Sequence, residues 1–319
     1  MVRVRGKLSR PINTTSGVPQ GSHLGPILFS LFINDIKLQF TQCKFLLFAD
    51  DLKLFTTIGC ASDCLNLQRD LDALSDWCAL NNMDFSLSKC SVISFTRGKE
   101  CINFDYVLCG ALLNRVESIR DLGVTFHYSL SFNLHIDNIL NTANRLLGFI
   151  KRQCRDFTNV TAIIHLYYSL VRSALEYCSV VWSPFYDVHI QRLESVQRKV
   201  ANFIIFKLGI DRHSYSYDEQ LSLLGMQTLE TRRKHQCVRF AYKILRQTVN
   251  CSELSMLFSR RSPSYPTRLN DRFDVPFHRT NYGRHCPVAR MSRLLNGLPA
   301  GCDVFSCSLT ELNTFLRHL

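Results

Sequence analysis

Two adjacent aspartates interrupt an apolar stretch of the sequence, and they constrain its fold more than any other feature. Asp50 and Asp51 stand between the apolar residues 45–48 and 52–55. Successive side chains of a straight strand point to opposite faces, so both carboxylates reach one side only at a turn. The pattern predicts two short strands joined by residues 49–51, a β-hairpin with both acids at its tip.

Such a turn has two interpretations. Aspartate is common in turns because its carboxylate accepts hydrogen bonds from the nearby backbone. A carboxylate pair beside buried strands is also costly unless a positive charge compensates for it, and like charges raise each other's pKa. A divalent cation is the natural compensator, because Mg²⁺ prefers oxygen ligands. Asp50 and Asp51 alone do not decide between a plain turn and a metal site.

The composition favours a folded protein with an anionic partner. The 319 residues are 46% hydrophobic, enough for one large or two modest cores. A net charge of +12 favours nucleic acid or a membrane surface, although a basic surface without a partner gives the same value. Since no apolar segment reaches the roughly 20 residues that span a bilayer, we expect no membrane partner.

The cysteines predict a reducing environment. The fourteen cysteines follow neither a disulfide framework nor the spacing of a zinc module. The first residues do not resemble a signal peptide. We therefore expect free, buried thiols and an intracellular protein, nuclear or cytoplasmic, that is not secreted.

The first part of the chain alternates turns, helices and short strands. Residues 2–12 resemble a basic hairpin, and residues 16–22 form a loop rich in turn formers. Residues 25–36 are apolar nearly all round, which predicts a buried helix that Pro26 begins. An amphipathic helix over residues 62–81 and strands near 91–95, 105–109 and 122–126 follow. This order predicts an α+β fold, an antiparallel sheet with helices on one face.

The second part of the chain is helical. Apolar stripes with basic residues opposite predict helices over 135–154, 161–177, 189–207 and 230–248, while residues 259–287 read as a loop. The predicted secondary structure changes from a mixture of strands and helices to helices near Ser129. We therefore predict two domains, 1–128 and 129–319.

The motifs around the two aspartates resemble one enzyme family when they are taken together. The loop 16–22, the following Leu24-Gly25-Pro26, the pair Asn34-Asp35 and the run Phe48-Ala49-Asp50-Asp51 resemble the palm of a reverse transcriptase from a non-LTR retrotransposon of the jockey-like kind. The resemblance continues through residues 87–90, 120–124, 170–177 and 196–199. It implies a partial polymerase palm followed by an all-helical thumb and C-terminal region.

The resemblance implies an RNA-directed DNA polymerase with Mg²⁺ or Mn²⁺ as cofactor, and an RNA template, a DNA primer and deoxynucleotides as partners. Asp50 and Asp51 would be the catalytic metal ligands, since two metal ions stabilise the attacking and leaving oxygens of nucleotidyl transfer. Lys89 would protonate the leaving pyrophosphate. The implied nucleotide and template contacts are Gly17, Gln20, Gly21 and Phe48, and the implied primer grip is Leu122 and Gly123.

The sequence departs from this family at one point. The family site also needs an aspartate from an earlier strand, and this sequence has no Asp or Glu before Asp35. We therefore expect a segment truncated at its N-terminus, without the fingers and the first catalytic acid.

Two hypotheses from different classes follow. The chain is a reverse transcriptase segment, part of a longer active reading frame or a truncated genomic copy, or it is a non-catalytic basic nucleic-acid-binding or structural remnant. Its activity as an enzyme stays open on the sequence. We expect the 319-residue chain alone to extend no primer.

Overall fold

The chain divides into two units, each with its own core. The computed structural model describes residues 3–10, 17–18, 21–96, 98, 101–211, 214–261, 272–299 and 301–317. The units are Met1–Ile119 and Arg120–Leu319. The division precedes the predicted one after residue 128. Val124 is buried among residues of the second unit's helices, so the strand that carries it packs with them.

The strands are short and pair two by two. They are β1 (Arg3–Val4), β2 (Lys7–Leu8), β3 (Lys44–Phe48), β4 (Asp51–Phe55), β5 (Ser91–Val92), β6 (Val107–Leu108), β7 (Ala111–Leu112), β8 (Asn114–Arg115), β9 (Ser118–Asp121) and β10 (Val124–His127). The pairs are β1–β2, β3–β4, β5–β8, β6–β7 and β9–β10, and β5–β8 is parallel. The mixture agrees with the predicted α+β class. The described strands do not, however, form one antiparallel sheet, because most are two residues long and offer no ladder for a third strand.

The helices dominate the second unit. They are α1 (Gly25–Ile33), α2 (Ala61–Leu80), α3 (Asn133–Gln153), α4 (Val160–Leu166), α5 (Ser173–Glu176), α6 (Ser179–Trp182), α7 (Asp187–Lys207), α8 (Tyr217–Leu223), α9 (Leu229–Leu245), α10 (Ser252–Met256), α11 (Asn281–Arg284), α12 (Pro287–Asn296) and α13 (Leu309–Leu316). Short 3₁₀ helices follow α1 (Asn34–Gln39) and precede β5 (Leu87–Lys89). A π-helical segment, Tyr167–Arg172, joins α4 to α5.

The core of the first unit lies between α2 and the β3–β4 hairpin. Cys64, Leu71, Leu74, Trp77 and Cys78 are buried along one face of α2, as the predicted amphipathic helix requires. Partly buried residues of the hairpin and of the following segments pack against this face. The hairpin therefore presents its other face, and its turn, to solvent.

Helix α1 corrects a prediction. Its apolar sequence predicted a buried helix, but the exposed fractions of Ile27 and Leu31 are 57% and 69%. Within the described first unit only Gly25 and Ile33 of the helix are buried, with Ile36 in the 3₁₀ turn after it. A helix that is apolar on all sides carries no sequence signal for which side is covered.

The second unit contains two buried clusters. The first cluster joins three helices: α3, α7 and the continuous helix made of α4, the π-helical segment and α5. The second cluster joins α9, α12 and α13. The predicted helices over 135–154, 161–177, 189–207 and 230–248 are confirmed, since the observed ends differ by three residues or fewer. Among the described residues, no helix is long and apolar enough to cross a membrane.

The cysteines are all free, as predicted, but most are not buried. Five of the fourteen thiols are buried, namely Cys64, Cys78, Cys154, Cys237 and Cys302.

Candidate active site

The two aspartates lie at the turn of the β3–β4 hairpin. Phe48 and Asp51 are the last paired residues, so Ala49 and Asp50 form a two-residue loop. Ala49 has φ of 52°, and a positive φ at the first loop position is typical of the II′ turn of tight hairpins. The predicted hairpin is confirmed, but its loop is one residue shorter than predicted, because Asp51 begins β4.

Both carboxylates are exposed to solvent. They carry no burial penalty, so the argument from a costly buried pair does not apply to the described structure. Their value as ligands rests instead on their chemistry, because carboxylate oxygens are the hard donors that Mg²⁺ and Mn²⁺ prefer and Mg²⁺ keeps several waters. Across the ranges that the structure describes, no group of three or more His, Cys, Asp or Glu side chains is placed to hold a metal. Two exposed carboxylates offer oxygen donors of the kind that a divalent cation accepts, and a metal site here stays a prediction.

Phe48 shares the exposed side of this turn. The side chains of β3 alternate, so Leu46 and Phe48 face away from α2 while Leu47 packs toward it. Phe48 is 64% exposed and stands opposite Asp51 in the hairpin register. Phe48, Asp50 and Asp51 therefore lie at the same end of the hairpin, and their roles in a site stay predictions.

Asp70 holds the entry to this hairpin. Asp70 is a buried residue of α2. Its carboxylate accepts hydrogen bonds from the backbone N–H groups of Thr41 at 3.2 Å, Gln42 at 3.1 Å and Cys43 at 2.8 Å, the three residues directly before β3. A carboxylate that accepts several backbone hydrogen bonds anchors a loop strongly, because each bond is charge-assisted. Burial, followed by the charge of Asp70, raises the pKa of the Cys43 thiol to about 11.

The glycine loop is described in part. Gly17 and Gly21 have φ of 81° and 82°, a conformation that favours glycine, and no described atom lies within 4 Å of a Cβ built at either position. Ser22 Oγ accepts the N–H of Gly25 at 3.0 Å and so helps begin α1. Gln20 lies outside the described residues.

Lys89 and Asp35 occupy separate places in the first unit. Lys89 is exposed at the end of the 3₁₀ turn Leu87–Lys89, and its N–H donates to the Ser86 carbonyl at 2.8 Å. Asp35 Oδ1 accepts Trp77 Nε1–H at 3.2 Å, a contact that ties the segment after α1 to α2. The proton-donor role of Lys89 stays a prediction.

Leu122 and Gly123 form the turn between β9 and β10. Their φ angles are 43° and 86°, and positive values at both loop positions are the pattern of a type I′ hairpin turn. The Tyr177 hydroxyl donates to the Leu122 carbonyl at 2.9 Å, and a Cβ at Gly123 would stand 3.0 Å from Tyr177 Cε1. Tyr177, just after α5, therefore fixes the predicted primer-grip turn.

Sequence reasoning missed two positioning residues, Asp70 and Tyr177. A carboxylate at a position of the apolar stripe of α2, next to Leu71 and Leu74, was the available signal for Asp70. No local signal pointed to Tyr177, since it lies 55 residues from its partner carbonyl.

Comparisons with known proteins show which enzyme family the sequence resembles. Residues 1–126 match the family model described as reverse transcriptase (RNA-dependent DNA polymerase). The chain is 27% identical over 205 residues to the RNA-directed DNA polymerase from mobile element jockey of Drosophila funebris, which covers 59% of this chain and 22% of that protein. It is 25% identical over 213 residues to the probable RNA-directed DNA polymerase from transposon X-element of Drosophila melanogaster, covering 64% of this chain and 23% of that protein.

A third relative has a higher sequence identity over a shorter region. The probable RNA-directed DNA polymerase from transposon BS of Drosophila melanogaster is 32% identical over 145 residues, covering 43% of this chain and 16% of that protein. No solved structure matches the chain. These comparisons confirm the predicted resemblance to jockey-like reverse transcriptases, and the matched region spans less than a quarter of each of these relatives.

Proposed function

We propose, from the relationship of this chain to jockey-like reverse transcriptases, that the Asp50–Asp51 turn belongs to a polymerase site that copies RNA into DNA. The observation that carries the proposal is the exposed carboxylate pair at a tight hairpin turn with Phe48 beside it. In this reaction the primer 3′ hydroxyl loses its proton to water, its oxygen bonds to the α-phosphorus of a deoxynucleotide, and the bond from that phosphorus to pyrophosphate breaks. Bound Mg²⁺ or Mn²⁺ supplies charge stabilisation at the attacking and leaving oxygens.

The other proposed roles belong to this chain's own residues. Gly17, Gln20 and Gly21 approach the template and the incoming nucleotide, and the primer lies against the Leu122–Gly123 turn. Lys89 gives its proton to the leaving pyrophosphate, since an ammonium is a competent general acid. The positive φ of both glycines supports a loop whose backbone is open to a partner.

A metal titration tests the carboxylate pair without requiring turnover. We expect Mn²⁺ added to the full chain to enhance water-proton relaxation, and Asp50→Asn to remove most of that enhancement. Asp76→Asn is the matched control, because Asp76 is an exposed aspartate of α2 away from the turn. Equal enhancement in the Asp50 and Asp76 variants would show that the turn is not a metal site.

We further propose that the 319-residue chain alone extends no primer. The family resemblance implies a third acid from an earlier strand, but no Asp or Glu precedes Asp35 in this sequence. The Asp35 carboxylate already accepts a hydrogen bond from the Trp77 ring. The test is primer extension on an RNA template with Mg²⁺ or Mn²⁺. Extension that Asp50→Ala abolishes would refute the inactivity of the chain while supporting the polymerase site.

One observation favours a second function, nucleic-acid binding without catalysis. Lys151 and Lys207 of the second unit both lie over the Phe203 ring, and neither forms an ion pair with an acid among the described residues. Retention of an oligonucleotide in a gel, with no extension and with loss of binding in salt, is the expected result for this function.

A further inference from the structure

Two lysines of the second unit lie over one aromatic ring, and a third lysine bridges the same two helices. Lys151 of α3 and Lys207 of α7 place their Nζ atoms 5.6 Å and 5.9 Å from the centroid of the Phe203 ring. Lys199, one turn before Phe203 on α7, donates to Asn144 Oδ1 of α3 at 3.1 Å. Burial, followed by the charge of Lys199, lowers the pKa of Lys151.

No ion pair with an acidic side chain of the described residues neutralises these lysines. The ion pairs in the described part of the second unit are Arg192–Asp137, Arg232–Glu176 and Lys234–Glu230, and none includes these three lysines. Like charges held within one cluster repel each other, so an anion bound there would relieve the repulsion. The cluster therefore favours a polyanion over a neutral or cationic partner.

An aromatic groove adjoins the lysines. Lys207 Nζ donates to the carbonyl oxygens of Arg155 and of Phe157, the latter at 3.3 Å. The Phe157 ring is 45% exposed and lines an open groove with His165 and Tyr168. Lys207 therefore connects the cationic cluster to rings that solvent can reach.

The helix that forms the groove is irregular at this point. Tyr168 lies in the π-helical segment Tyr167–Arg172, and the Arg172 guanidinium lies 3.4 Å from the centroid of the Tyr168 ring. π-helical turns are rare and occur frequently at functional sites. An aromatic ring paired with an arginine is also a platform on which a planar base can stack.

We propose that these residues, the lysine–aromatic surface (Lys151, Lys199, Lys207, Phe157 and Tyr168), bind single-stranded nucleic acid. The lysines contact successive phosphates, and Phe157 and Tyr168 stack against unpaired bases. A single strand fits better than a duplex, because the bases of a duplex already stack on each other and leave no face for a protein ring. The choice of a polynucleotide over other polyanions rests on the proposed function.

The lysines are tested by the salt dependence of binding. Fluorescence anisotropy of a labelled single-stranded RNA is measured with the full chain, without metal or deoxynucleotide, over a series of salt concentrations. Each phosphate contact contributes ~0.7 to the slope of log affinity against log salt, so Lys151→Gln with Lys199→Gln lowers the slope by about 1.4. Lys234→Gln with Lys243→Gln, a matched double change on α9, leaves the slope unchanged.

The aromatic ring is tested by substitution at Phe157. Loss of one stacked base weakens binding about tenfold in Phe157→Ala, and Phe157→Leu, which keeps apolar volume without a ring, gives a similar loss. Phe277→Ala is the control, because Phe277 is 90% exposed elsewhere in the same unit. Circular dichroism confirms that each variant is folded.

Two results would overturn the proposal. One is a salt slope that changes equally in the two lysine double variants, and the other is an affinity that does not change in Phe157→Ala or Phe157→Leu. Because Asp50→Asn leaves this binding intact under the proposal, failure of the lysine–aromatic surface is distinguishable from failure of the polymerase site.

Discussion

Backbone conformation at single residues sets both turns that carry candidate site residues. Ala49 takes a positive φ so that Asp50 can occupy the loop between β3 and β4. At the β9–β10 turn both Leu122 and Gly123 have a positive φ, and the Tyr177 ring packs against Gly123. A side chain at position 123 would be strained by the left-handed backbone conformation and would also contact the Tyr177 ring. Glycine is therefore required more strictly here than at an ordinary turn.

Gly123→Ala should therefore destabilise the second unit by about 2 kcal/mol, with strain from the positive φ and from the 3.0 Å approach to Tyr177 Cε1. Gly225→Ala is the control, because Gly225 also has a positive φ but no described atom lies within 4 Å of its Cβ position. Urea unfolding followed by circular dichroism measures both variants. Equal losses in the two variants would mean that the contact with Tyr177 has no energetic weight.

His135 predicts a pH dependence of stability. The side chain is buried, its Nδ1 accepts the Thr125 N–H at 3.2 Å, and its ring packs on Trp182. Burial, followed by the charge of Arg120, lowers the pKa of His135 to about 4 from an ordinary value near 6.5. Since the unfolded chain then binds the proton more tightly, stability is lost as the pH falls from about 6.5 to about 4, by up to ~3 kcal/mol.

The measurement is the free energy of unfolding at pH 7 and at pH 5 for the natural chain and for His135→Gln. The natural chain should lose more stability between the two pH values than the variant, which lacks the buried titrating ring. His235 and His285 also have lowered pKa values, and both remain in the variant, so the difference isolates His135. A pH dependence of equal size in both proteins would refute this assignment.

At the scale of elements, α1 shows how an apolar helix can be covered on one side only. Ile33 is 6% exposed and packs in the core of the first unit, whereas Leu31, two residues earlier, points to solvent. Residues two apart on a helix lie on different faces, which explains the contrast. In α2 the spacing of apolar residues shows which face is buried. The sequence of α1 has no such spacing, because it is apolar on all sides.

Ile33→Ala should accordingly cost the first unit about 3 kcal/mol, through lost burial and the cavity left behind. Leu31→Gln should change stability by less than ~0.5 kcal/mol, because its side chain is already in water. Chemical unfolding of the two variants provides the comparison. A loss for Leu31→Gln as large as that for Ile33→Ala would show that α1 is covered where the described residues leave it exposed.

At the scale of the whole molecule, the two units should respond separately to core substitutions. The first unit has its own buried cluster around α2, and the second has two clusters among its helices. Asp70 anchors the hairpin entry in the first unit, and Leu193 is fully buried in the second. Each substitution should therefore act on the unit that contains it.

Scanning calorimetry tests this separation. Asp70→Ala leaves three backbone N–H groups without their carboxylate, so it should lower one transition by an amount equivalent to about 3 kcal/mol. Leu193→Ala should lower the other transition by a similar amount. If both variants shift one common transition, the molecule unfolds as a single cooperative body instead.

Local patterns were sufficient for much of the fold. The apolar runs on either side of Asp50 and Asp51 predicted the hairpin, and periodicity predicted four long helical stretches of the second unit within three residues at each end. Turn chemistry and the 3.6-residue period are contained in a few neighbouring residues, so they can be read without knowing their partners.

Other features depended on residues far apart in the chain. Asp70 anchors backbone groups 27 to 29 residues away, Tyr177 bonds a carbonyl 55 residues away, and Lys151 and Lys207 meet at Phe203 from different helices. The sequence by itself determined the family resemblance, the acidic turn and the long helices. Only the tertiary structure decided which face of α1 is covered, what holds the two turns and where the positive charges converge, because burial and contact depend on the elements that pack together.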